Sequence, residues 1–427
     1  MMLIVFLLSL FGFIALTVPI AFALLLTALV LGIVMNAWSP ALVIQNLFRG
    51  IDSFPLMAIP FFLLAGEIMN TGGISNRIVS FAKAMVGHVR GGLGYVTVVA
   101  SMLISGVSGS AVADTSAIGS ILYPVMKKEG YDPKKSAALF AASTTNGPII
   151  PPSIPMVLLG VIGNISVVKL FIGGIIPGII LGMSLMTVWY FHVKKRDFYK
   201  VEGVFSFKGV IRAAADAFLV LLIPVIILGG IVFGIATPTE AAVVSVVYSF
   251  ILAVFVYKEL KIKDMLQVLV NTVRGTAVVL LVCGAATSAA YYITTAQIPA
   301  LLANVLLNLS GASWMMFMFW VNILVLLVGC VMDLTPALLI LGPMLLPIAA
   351  KYGIDPVYFG VVLIVNLSIG LITPPVGNIL YVACGISKLS VAEISKAIWP
   401  FIIVGIVALF IVTYIPWTIT VLPNMIK

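Results

Sequence analysis

Two aspartates stand inside apolar segments that are rich in turn-forming residues. Asp114 belongs to the run Ser105-Gly-Val-Ser-Gly-Ser-Ala-Val-Ala-Asp-Thr, and Asp333 precedes Leu-Thr335-Pro336. If such a segment lies in a membrane, its carboxylate is costly and by default functional, with a partner to be named. We predict that each aspartate contributes to a cation site, directly or by fixing the turn, with Na⁺ as the partner. The alternative is that each carboxylate only caps a helix N-terminus.

Two Pro-containing motifs interrupt other apolar segments. Asn146-Gly-Pro-Ile-Ile-Pro-Pro-Ser153 and Ser368-Ile-Gly-Leu-Ile-Thr373-Pro-Pro-Val-Gly377-Asn378 cannot continue a helix, because proline removes a donor and clashes with the preceding turn. Irregular backbone at membrane depth persists only where protein buries it or water fills a cavity. Freed carbonyls and hydroxyls are oxygen ligands suited to Na⁺, and the N-termini of half-helices attract a carboxylate. The motifs therefore predict a transporter centre.

The composition places these motifs in a membrane. The chain has 427 residues, of which 62% are hydrophobic and 9% charged. A soluble domain carries about 25% charged residues, so a water-soluble enzyme is excluded. Apolar stretches of about 20 residues recur along the chain. The net charge of +9 comes from basic residues in short loops, as the positive-inside rule expects, and does not indicate nucleic acid.

The chain contains an internal repeat at an offset of 223 residues. The offset pairs the glycines and prolines that set special backbone, rather than apolar residues in general. The pairs are Gly106/Gly329, Gly119/Gly342, Pro124/Pro347, Gly130/Gly353, Gly147/Gly370, Pro151/Pro374, Pro152/Pro375 and Pro177/Pro400. Lys and Arg are abundant in a loop of one copy where the matching loop of the other copy has few. The two copies are therefore predicted to be inverted in the membrane.

We predict an all-α polytopic fold in which each copy has five crossings and one re-entrant helical hairpin. The first copy, residues 1–200, has crossings at 3–17, 19–36, 54–72, a broken span at 136–165 and 173–193, with a hairpin at 92–126. The second copy, residues 205–427, has 213–236, 239–257, 276–295, a broken span at 359–387 and 398–422, with a hairpin at 313–349. Segments 39–50 and 262–275 are predicted to lie in the interface. The connector 194–212 is cytoplasmic and both termini are outside.

The hairpin and broken-span motifs resemble one transporter family. The run from Ser105 to Ser120, with Tyr123-Pro, Gly130-Tyr and Gly147-Pro-Ile-Ile-Pro-Pro-Ser153, is similar to the large membrane subunit of tripartite ATP-independent periplasmic (TRAP) transporters. The likeness covers nearly the whole chain. It implies a bacterial inner-membrane, Na⁺-driven elevator in which both hairpins and both broken spans form a transport domain and the other spans a scaffold.

The resemblance also implies partners and substrates. The family uses a small four-helix membrane subunit and a periplasmic substrate-binding protein, and it carries organic anions such as C4-dicarboxylates, sialic acid and other sugar acids. An unfused subunit of this kind looks most like the sialic acid branch. Na⁺ is the expected coupling ion, with no organic cofactor, and membrane lipid is the surrounding partner. By motif, the sodium positions fall around Ser108, Ser110 and Asp114, on 146–153, and on their second-copy counterparts.

Residues and resemblance together give two candidate sets. The candidate sodium ligands are Ser105, Ser108, Asp114, Thr145, Gly147, Asp333, Thr335, Ser368 and Gly377. The candidate substrate contacts are Ser108, Ser110, Asn146, Ser153, Thr373 and Asn378. Small polar residues also pack membrane helices, so a purely structural role is the alternative for each serine, threonine and asparagine. Copy two has Cys330-Val-Met-Asp333 where copy one has a Ser/Gly run, so paired ion sites need not match. Glu240, after Thr237-Pro238, is read as a helix-start residue.

Three other functions remain to be weighed. A stand-alone Na⁺/carboxylate symporter of similar inverted design would need no partner subunits. An intramembrane enzyme could use Asp114 and Asp333 as a pair, but no protease motif adjoins them and the duplication explains both. No catalytic residue is therefore predicted, and the chain is not expected to be an enzyme. A channel is disfavoured, because two closed hairpin tips suit alternating access better than a continuous pore.

Overall fold

The computed structural model describes residues 2–194, 205–374 and 376–425, and these residues are helical without strands. Two parts of the predictions lie outside these ranges. They are most of the basic connector predicted at 194–212, with Lys195, Arg196 and Lys200, and Pro375 of the repeat. The helices of the first copy are α1 Met2–Ala15, α2 Ile20–Val34, α3 Pro40–Ile51, α4 Ala58–Thr71, α5 Ile74–Val86, α6 Gly92–Ser108, α7 Ala111–Lys128, α8 Pro133–Ser143, α9 Ile154–Gly163 and α10 Val167–Lys194.

The second copy repeats this order. Its helices are α11 Phe207–Val232, α12 Pro238–Ile251, α13 Ile262–Thr295, α14 Ile298–Ser310, α15 Trp314–Gly329, α16 Leu334–Lys351, α17 Pro356–Gly370, α18 Asn378–Ser387, α19 Val391–Tyr414 and α20 Trp417–Met425. Short 3₁₀ turns occupy Phe54–Met57 and Thr144–Asn146, and a π-helical turn occupies Leu252–Val256. Within the described ranges, seven helical segments are long and apolar enough to cross a membrane. The predicted all-α polytopic fold is confirmed.

Polar residues at the helix ends explain where the helices of the site begin. Ser110, Ser153 and Asp355 cap α7, α9 and α17 by accepting a backbone N–H two or three residues into the helix. Thr237 and Glu240 form a reciprocal capping box at the start of α12, in which each side chain accepts the backbone N–H of the other. The reading of Glu240 as a helix-start residue is confirmed.

The structure departs from the predicted elements at three places. Residues 262–275 do not form a separate interfacial helix, because α13 continues without a break into the crossing predicted at 276–295. Its counterpart in copy one does break, at Asp52–Ser53 before Pro55, which separates α3 from α4. Helices α5 and α14 were not predicted, and the last predicted crossing divides into α19 and α20.

Two groups of helices follow from the packing. Helix α13 packs against α2, α3 and α4, α12 against α4 and α5 against α11, and we call the group of α1–α5 and α11–α14 the frame, although α5 also packs on α6 and α14 on α15. The other group, α6–α10 and α15–α20, is called the hairpin bundle. It includes the crossings predicted at 173–193 and 398–422, which the sequence assigned to the scaffold, because α10 packs on α6 and α19 on α8. Within it each copy packs against the other, since α7 contacts α18 and α16 contacts α9. Many of its side chains, such as Phe140, Phe171 and Phe359, are fully buried.

Candidate functional site

The first hairpin is closed by its own aspartate. Helices α6 and α7 are joined at Gly109, which has a left-handed φ of +62°, and Ser110 caps α7. Asp114, one turn further on, is fully buried. One of its carboxylate oxygens accepts the Ser105 hydroxyl at 2.8 Å, and the other accepts the Ser108 hydroxyl. Three candidate residues therefore come together in one hydrogen-bonded group at the hairpin tip.

The hairpin tip presses directly on the first broken span. A β-carbon added to Gly147 would lie 2.8 Å from the Ala111 nitrogen and 2.9 Å from Asp114 Oδ2. One added to Gly109 would lie 2.6 Å from the Pro152 carbonyl oxygen. Only glycine allows these approaches, because a side chain would collide with backbone on the facing segment. The glycines thus bring Asp114 against the irregular backbone between α8 and α9.

Hydroxyl and amide groups line the same contact. Thr115 Oγ1 and Thr144 Oγ1 are 2.6 Å apart, which joins α7 to the turn before the break. Asn146 is fully buried, and its Nδ2 donates to the Ser143 carbonyl at 3.3 Å. Its Oδ1 has no hydrogen-bond partner among the described residues. A buried oxygen without a donor is expensive to leave unmatched, so this atom is suited to a cation.

Other candidates use their side chains within their own segments. Thr145 donates to Ala142 at 2.7 Å, Ser368 to Ile364 at 2.6 Å and Thr373 to Ile369 at 2.8 Å, each to a carbonyl. Ser153 donates to the Pro148 carbonyl at 2.5 Å while capping α9. The oxygens of these hydroxyls can still accept a cation, but their hydrogen atoms are committed.

The second hairpin meets its broken span in a different way. The backbones of Gly329 and Gly370 touch, since a β-carbon on Gly370 would lie 2.7 Å from the Gly329 Cα. The Val376 N–H donates to the Cys330 carbonyl at 3.3 Å. Gly377 has a left-handed φ of +47° at the start of α18, and Thr335 lies in the first turn of α16. The Asn378 side chain lies beside the Asp333 carboxylate, which brings the tip next to the far half of the broken span.

The two aspartates hold different positions in the repeat. Asp333 stands at the helix-capping position of α16, where copy one has Ser110 at the start of α7. Asp114 lies in the first turn of α7 and reaches back to α6 instead. Asp114 therefore holds the two arms of one hairpin together, whereas Asp333 joins a hairpin to a broken span.

A cavity leads away from the first hairpin tip. It measures about 640 Å³ and lies between α7 of the hairpin bundle and the frame helices α4, α5 and α13. Its lining runs from Ser110 at the tip to Asn70 and Asn76 at the turn between α4 and α5. Charge bias places that turn at the cytoplasmic side, so we call this cavity the inner vestibule.

The corresponding space on the other side is shut. A cavity of only about 10 Å³ lies between α13, α14 and α16, with Leu339, Ile340, Pro343 and Met344 in its wall. The 223-residue offset matches these four to Ser116, Ala117, Ser120 and Ile121 of the inner vestibule. Of these two repeat-related spaces, as the described residues form them, the one on the cytoplasmic side is open and the other is closed.

One buried polar cluster was missed by the sequence analysis. Asn366 Nδ2 donates to the backbone and side-chain oxygens of Asn322 at 3.0 and 2.9 Å, and Asn322 donates to Thr413 at 3.0 Å. The cluster joins α15, α17 and α19. Isolated asparagines in otherwise apolar runs were the available signal.

Comparison with known protein families gives one clear match. Residues 7–418 match the family described as the DctM component of the tripartite ATP-independent periplasmic transporter. Among curated relatives, the 2,3-diketo-L-gulonate TRAP transporter large permease of Escherichia coli is 40% identical over 97% of both chains. The sialic acid TRAP transporter large permease of Vibrio cholerae is 38% identical over 98% of both. The C4-dicarboxylate counterpart of Rhodobacter capsulatus is 38% identical over 96% of both.

Solved structures share the fold at low identity. The YdaH transporter of Alcanivorax borkumensis superposes with a TM-score of 0.62 at 14% identity, over 88% of this chain and 87% of that one. MtrF of Neisseria gonorrhoeae gives 0.60 at 11% identity, over 87% and 82%. Both resemblances concern the arrangement of helices alone.

Proposed function

The chain belongs to the DctM-component family of tripartite ATP-independent periplasmic transporters, multi-pass proteins of the bacterial inner membrane, and we propose that it is the subunit that carries an organic anion inward with Na⁺. The observation that supports this most directly is the first hairpin tip on its broken span. There a buried carboxylate, two serine hydroxyls and an unmatched asparagine oxygen converge on backbone that no helix can satisfy. Oxygen donors of this kind are the ones that a hard cation takes.

Asp114 supplies the negative charge of the proposed sodium site. Its carboxylate fixes Ser105 and Ser108 and lies against Gly147, so it holds the tip in shape beside the cation. Asn146, Thr145 and the freed carbonyls of the break supply neutral oxygens. In the second copy, Asp333, Thr335, Ser368 and Gly377 are proposed for the same task. Their contacts differ from those of the first copy, so the two sodium sites need not be equal.

The anion is proposed to bind where the hairpin tips meet the broken spans. Ser110, Ser153 and Asn378 stand at or next to the starts of α7, α9 and α18. Backbone N–H groups at a helix start attract a carboxylate. Ser108, Asn146 and Thr373 complete the proposed contacts. All three relatives are named for carboxylate substrates: a keto sugar acid, sialic acid and C4-dicarboxylates. We propose a sugar acid, sialic acid or a C4-dicarboxylate as the substrate.

Transport is proposed to proceed as an elevator. The hairpin bundle, in which α7 packs on α18 and α16 on α9, would move as one transport domain against the frame as scaffold. The open inner vestibule and its closed outer counterpart support alternating access. A small four-helix membrane subunit is proposed to brace the frame, and a periplasmic binding protein to deliver the anion.

Reconstitution tests the proposal. Proteoliposomes with this chain, the small subunit and the binding protein are given an inward Na⁺ gradient, and uptake of labelled N-acetylneuraminate, gluconate and succinate is measured. We expect that one of these anions is taken up, and that its uptake requires both Na⁺ and the binding protein. Uptake of free substrate by the chain alone would instead establish the stand-alone symporter. Uptake that is independent of Na⁺ would overturn the coupling.

A further inference from the structure

The inner vestibule has a charged wall. Among the described residues that line it, Glu67 of α4 is the one ionisable side chain, and the others are apolar or carry hydroxyl and amide groups. Glu67 is partly exposed to the space and lies one turn before α4 ends at Thr71. An anion leaving the first hairpin tip for the cytoplasm passes this carboxylate.

Contacts from α13 hold the carboxylate in place. Asn271 Nδ2 donates to Glu67 Oε2 at 3.1 Å, and Gln267 Nε2 donates to Asn271 Oδ1 at 2.7 Å. This chain of amides runs along one face of α13 and fixes the direction of the donor. Asn271 also lines the vestibule. The carboxylate is therefore a fixed feature of the wall, on the frame rather than on the hairpin bundle.

The outer side has no such charge at the matching position. The offset of 223 residues that matches the walls of the two cavities pairs Glu67 with Ala290. Ala290 lines the small outer cavity, and its side chain carries no charge. Likewise Ser116 and Ser120 of the inner wall correspond in the repeat to Leu339 and Pro343 of the outer wall. The repeat has thus diverged in charge, and the acidic group is on the exit side.

We propose that Glu67 is a release residue, whose negative charge weakens the hold of the inward-open state on the transported anion. The inference rests on the proposed function in taking the cargo to be an anion. A fixed charge cannot change the final gradient, but it speeds departure into the cytoplasm and opposes rebinding from there. Because Ala290 is neutral, the outward-open state carries no such penalty, and import is favoured kinetically over export.

The size of the effect follows from Coulomb's law. Two like charges about 10 Å apart in a wet vestibule weaken binding about three- to tenfold, and the repulsion falls as salt rises above about 0.1 M. Glu67→Gln removes the charge but keeps an oxygen for Asn271, whereas Glu67→Asp keeps the charge. Glu129→Gln removes an exposed carboxylate on the same side, outside the vestibule, and serves as the matched control.

The first test measures affinity from inside. In proteoliposomes with both partner subunits, the probe is whichever of N-acetylneuraminate, gluconate or succinate the wild type takes up. The lumenal concentration of unlabelled probe that halves uptake is expected to fall about three- to tenfold in Glu67→Gln at low salt, and less in added choline chloride. The external half-saturating concentration of Glu67→Gln is expected to match wild type. The lumenal values of Glu67→Asp and Glu129→Gln are also expected to match wild type. An unchanged lumenal value, or one that ignores salt, would overturn the proposal.

The second test needs no transport and separates this inference from the proposed function. In a chain with Cys283, Cys330 and Cys384 replaced by alanine, Ser116→Cys is treated with anionic sulfonatoethyl or cationic trimethylammonioethyl methanethiosulfonate. Adding Glu67→Gln is expected to raise the anionic-to-cationic rate ratio about three- to tenfold. A constant ratio means that Glu67 sets no potential in the vestibule, and the proposal fails even if Na⁺-coupled uptake is found. If Glu67→Gln stops uptake, this ratio still decides.

Discussion

At the scale of the residue, the difference between Asp114 and Asp333 matters more than their likeness. Asp114 is buried and accepts two serine hydroxyls within one hairpin, whereas Asp333 lies beside Asn378 of a broken span. Ser110 is the residue that caps α7, so Asp114 is not the cap there, and Asp333 makes no capping hydrogen bond although it stands at the capping position of α16. A buried carboxylate with two hydroxyl donors keeps charge available for a cation without being neutralised by a basic side chain.

Asp114→Asn is expected to impair sodium coupling. An amide oxygen cannot replace two carboxylate oxygens, so one serine hydroxyl loses its acceptor at a cost of about 1–3 kcal/mol, and the site loses its charge. We expect the half-saturating Na⁺ concentration for uptake to rise about tenfold or more, equal to about 1.4 kcal/mol. Asp216→Asn, which alters an exposed acid of α11, is the control. Unchanged Na⁺ dependence in Asp114→Asn would remove Asp114 from the cation site.

The Asn322–Asn366–Thr413 cluster is expected to matter for stability rather than for sodium. Asn366 Oδ1, like Asn146 Oδ1, has no hydrogen-bond partner among the described residues, but the groups that the cluster joins are all neutral. Asn366→Ala removes the donor to both Asn322 oxygens, which are buried, and should lower the free energy of unfolding by about 1–3 kcal/mol. The thermal midpoint in detergent measures the loss. The half-saturating Na⁺ concentration of the remaining active protein is expected to match wild type, and a change there would place the cluster in ion binding.

At the scale of the element, glycine contacts set how each hairpin meets its broken span. Gly147 faces the Asp114 carboxylate, and Gly370 faces Gly329. These two repeat-related glycines both allow a broken span to approach its hairpin closely, but the groups that they meet differ. In each copy the hairpin tip and the broken span approach so closely at these glycines that no side chain fits between them. We therefore expect tip and span to move together.

Gly370→Ala tests the second of these contacts. Its new methyl group would lie 2.7 Å from the Gly329 Cα, and overpacking of this kind costs about 1–3 kcal/mol. Lower thermal stability and at least a severalfold slower uptake are expected. Gly385→Ala, in α18 of the same copy with nothing within 4 Å, is the control and should be neutral or stabilising by about 0.5–1 kcal/mol. Equal behaviour of the two variants would show that the contact is loose in the protein.

The sequence carried enough to predict these elements but not their contacts. Glycines and prolines in register identified both hairpins and both broken spans, because these residues dictate backbone wherever they stand. Helices α5 and α14 were missed, since each has 13 residues and is too short to cross a membrane. Ser368 stays a predicted sodium ligand, but the donation of its hydroxyl hydrogen to the Ile364 carbonyl depends on helix continuity, which the motif alone does not record. That Gly147 faces Asp114 depends on tertiary packing, and no local pattern records it.

At the scale of the whole molecule, the family, the all-α polytopic fold and the inner-membrane location were predicted and are confirmed. The elevator motion remains a proposal and needs a test that holds the two groups of helices together. A β-carbon on Gly106 of α6 would lie 3.5 Å from the Pro224 Cβ of α11, a separation that suits a disulfide. Helix α6 belongs to the hairpin bundle and α11 to the frame.

Gly106→Cys with Pro224→Cys, in a chain with the three native cysteines replaced by alanine, is expected to lock the structure when oxidised. Uptake should fall more than about tenfold, because alternating access requires the bundle to move against the frame, and a reductant should restore it. Each single variant under the same oxidation is the control. Full uptake by the cross-linked protein would mean that α6 and α11 move as one body.

The break between α3 and α4 in copy one and the continuous α13 of copy two have a mechanical consequence. Copy one is interrupted at Asp52–Ser53, so the direction of α3 is set independently of α4, by its packing against α13. Copy two has no interruption, and α13 runs for 34 residues, about 51 Å at 1.5 Å per residue. A continuous helix couples a tilt at its cytoplasmic end to its far end, near Tyr292. We therefore expect α13 to transmit displacement across the membrane as a lever, whereas the break in copy one separates α3 from α4.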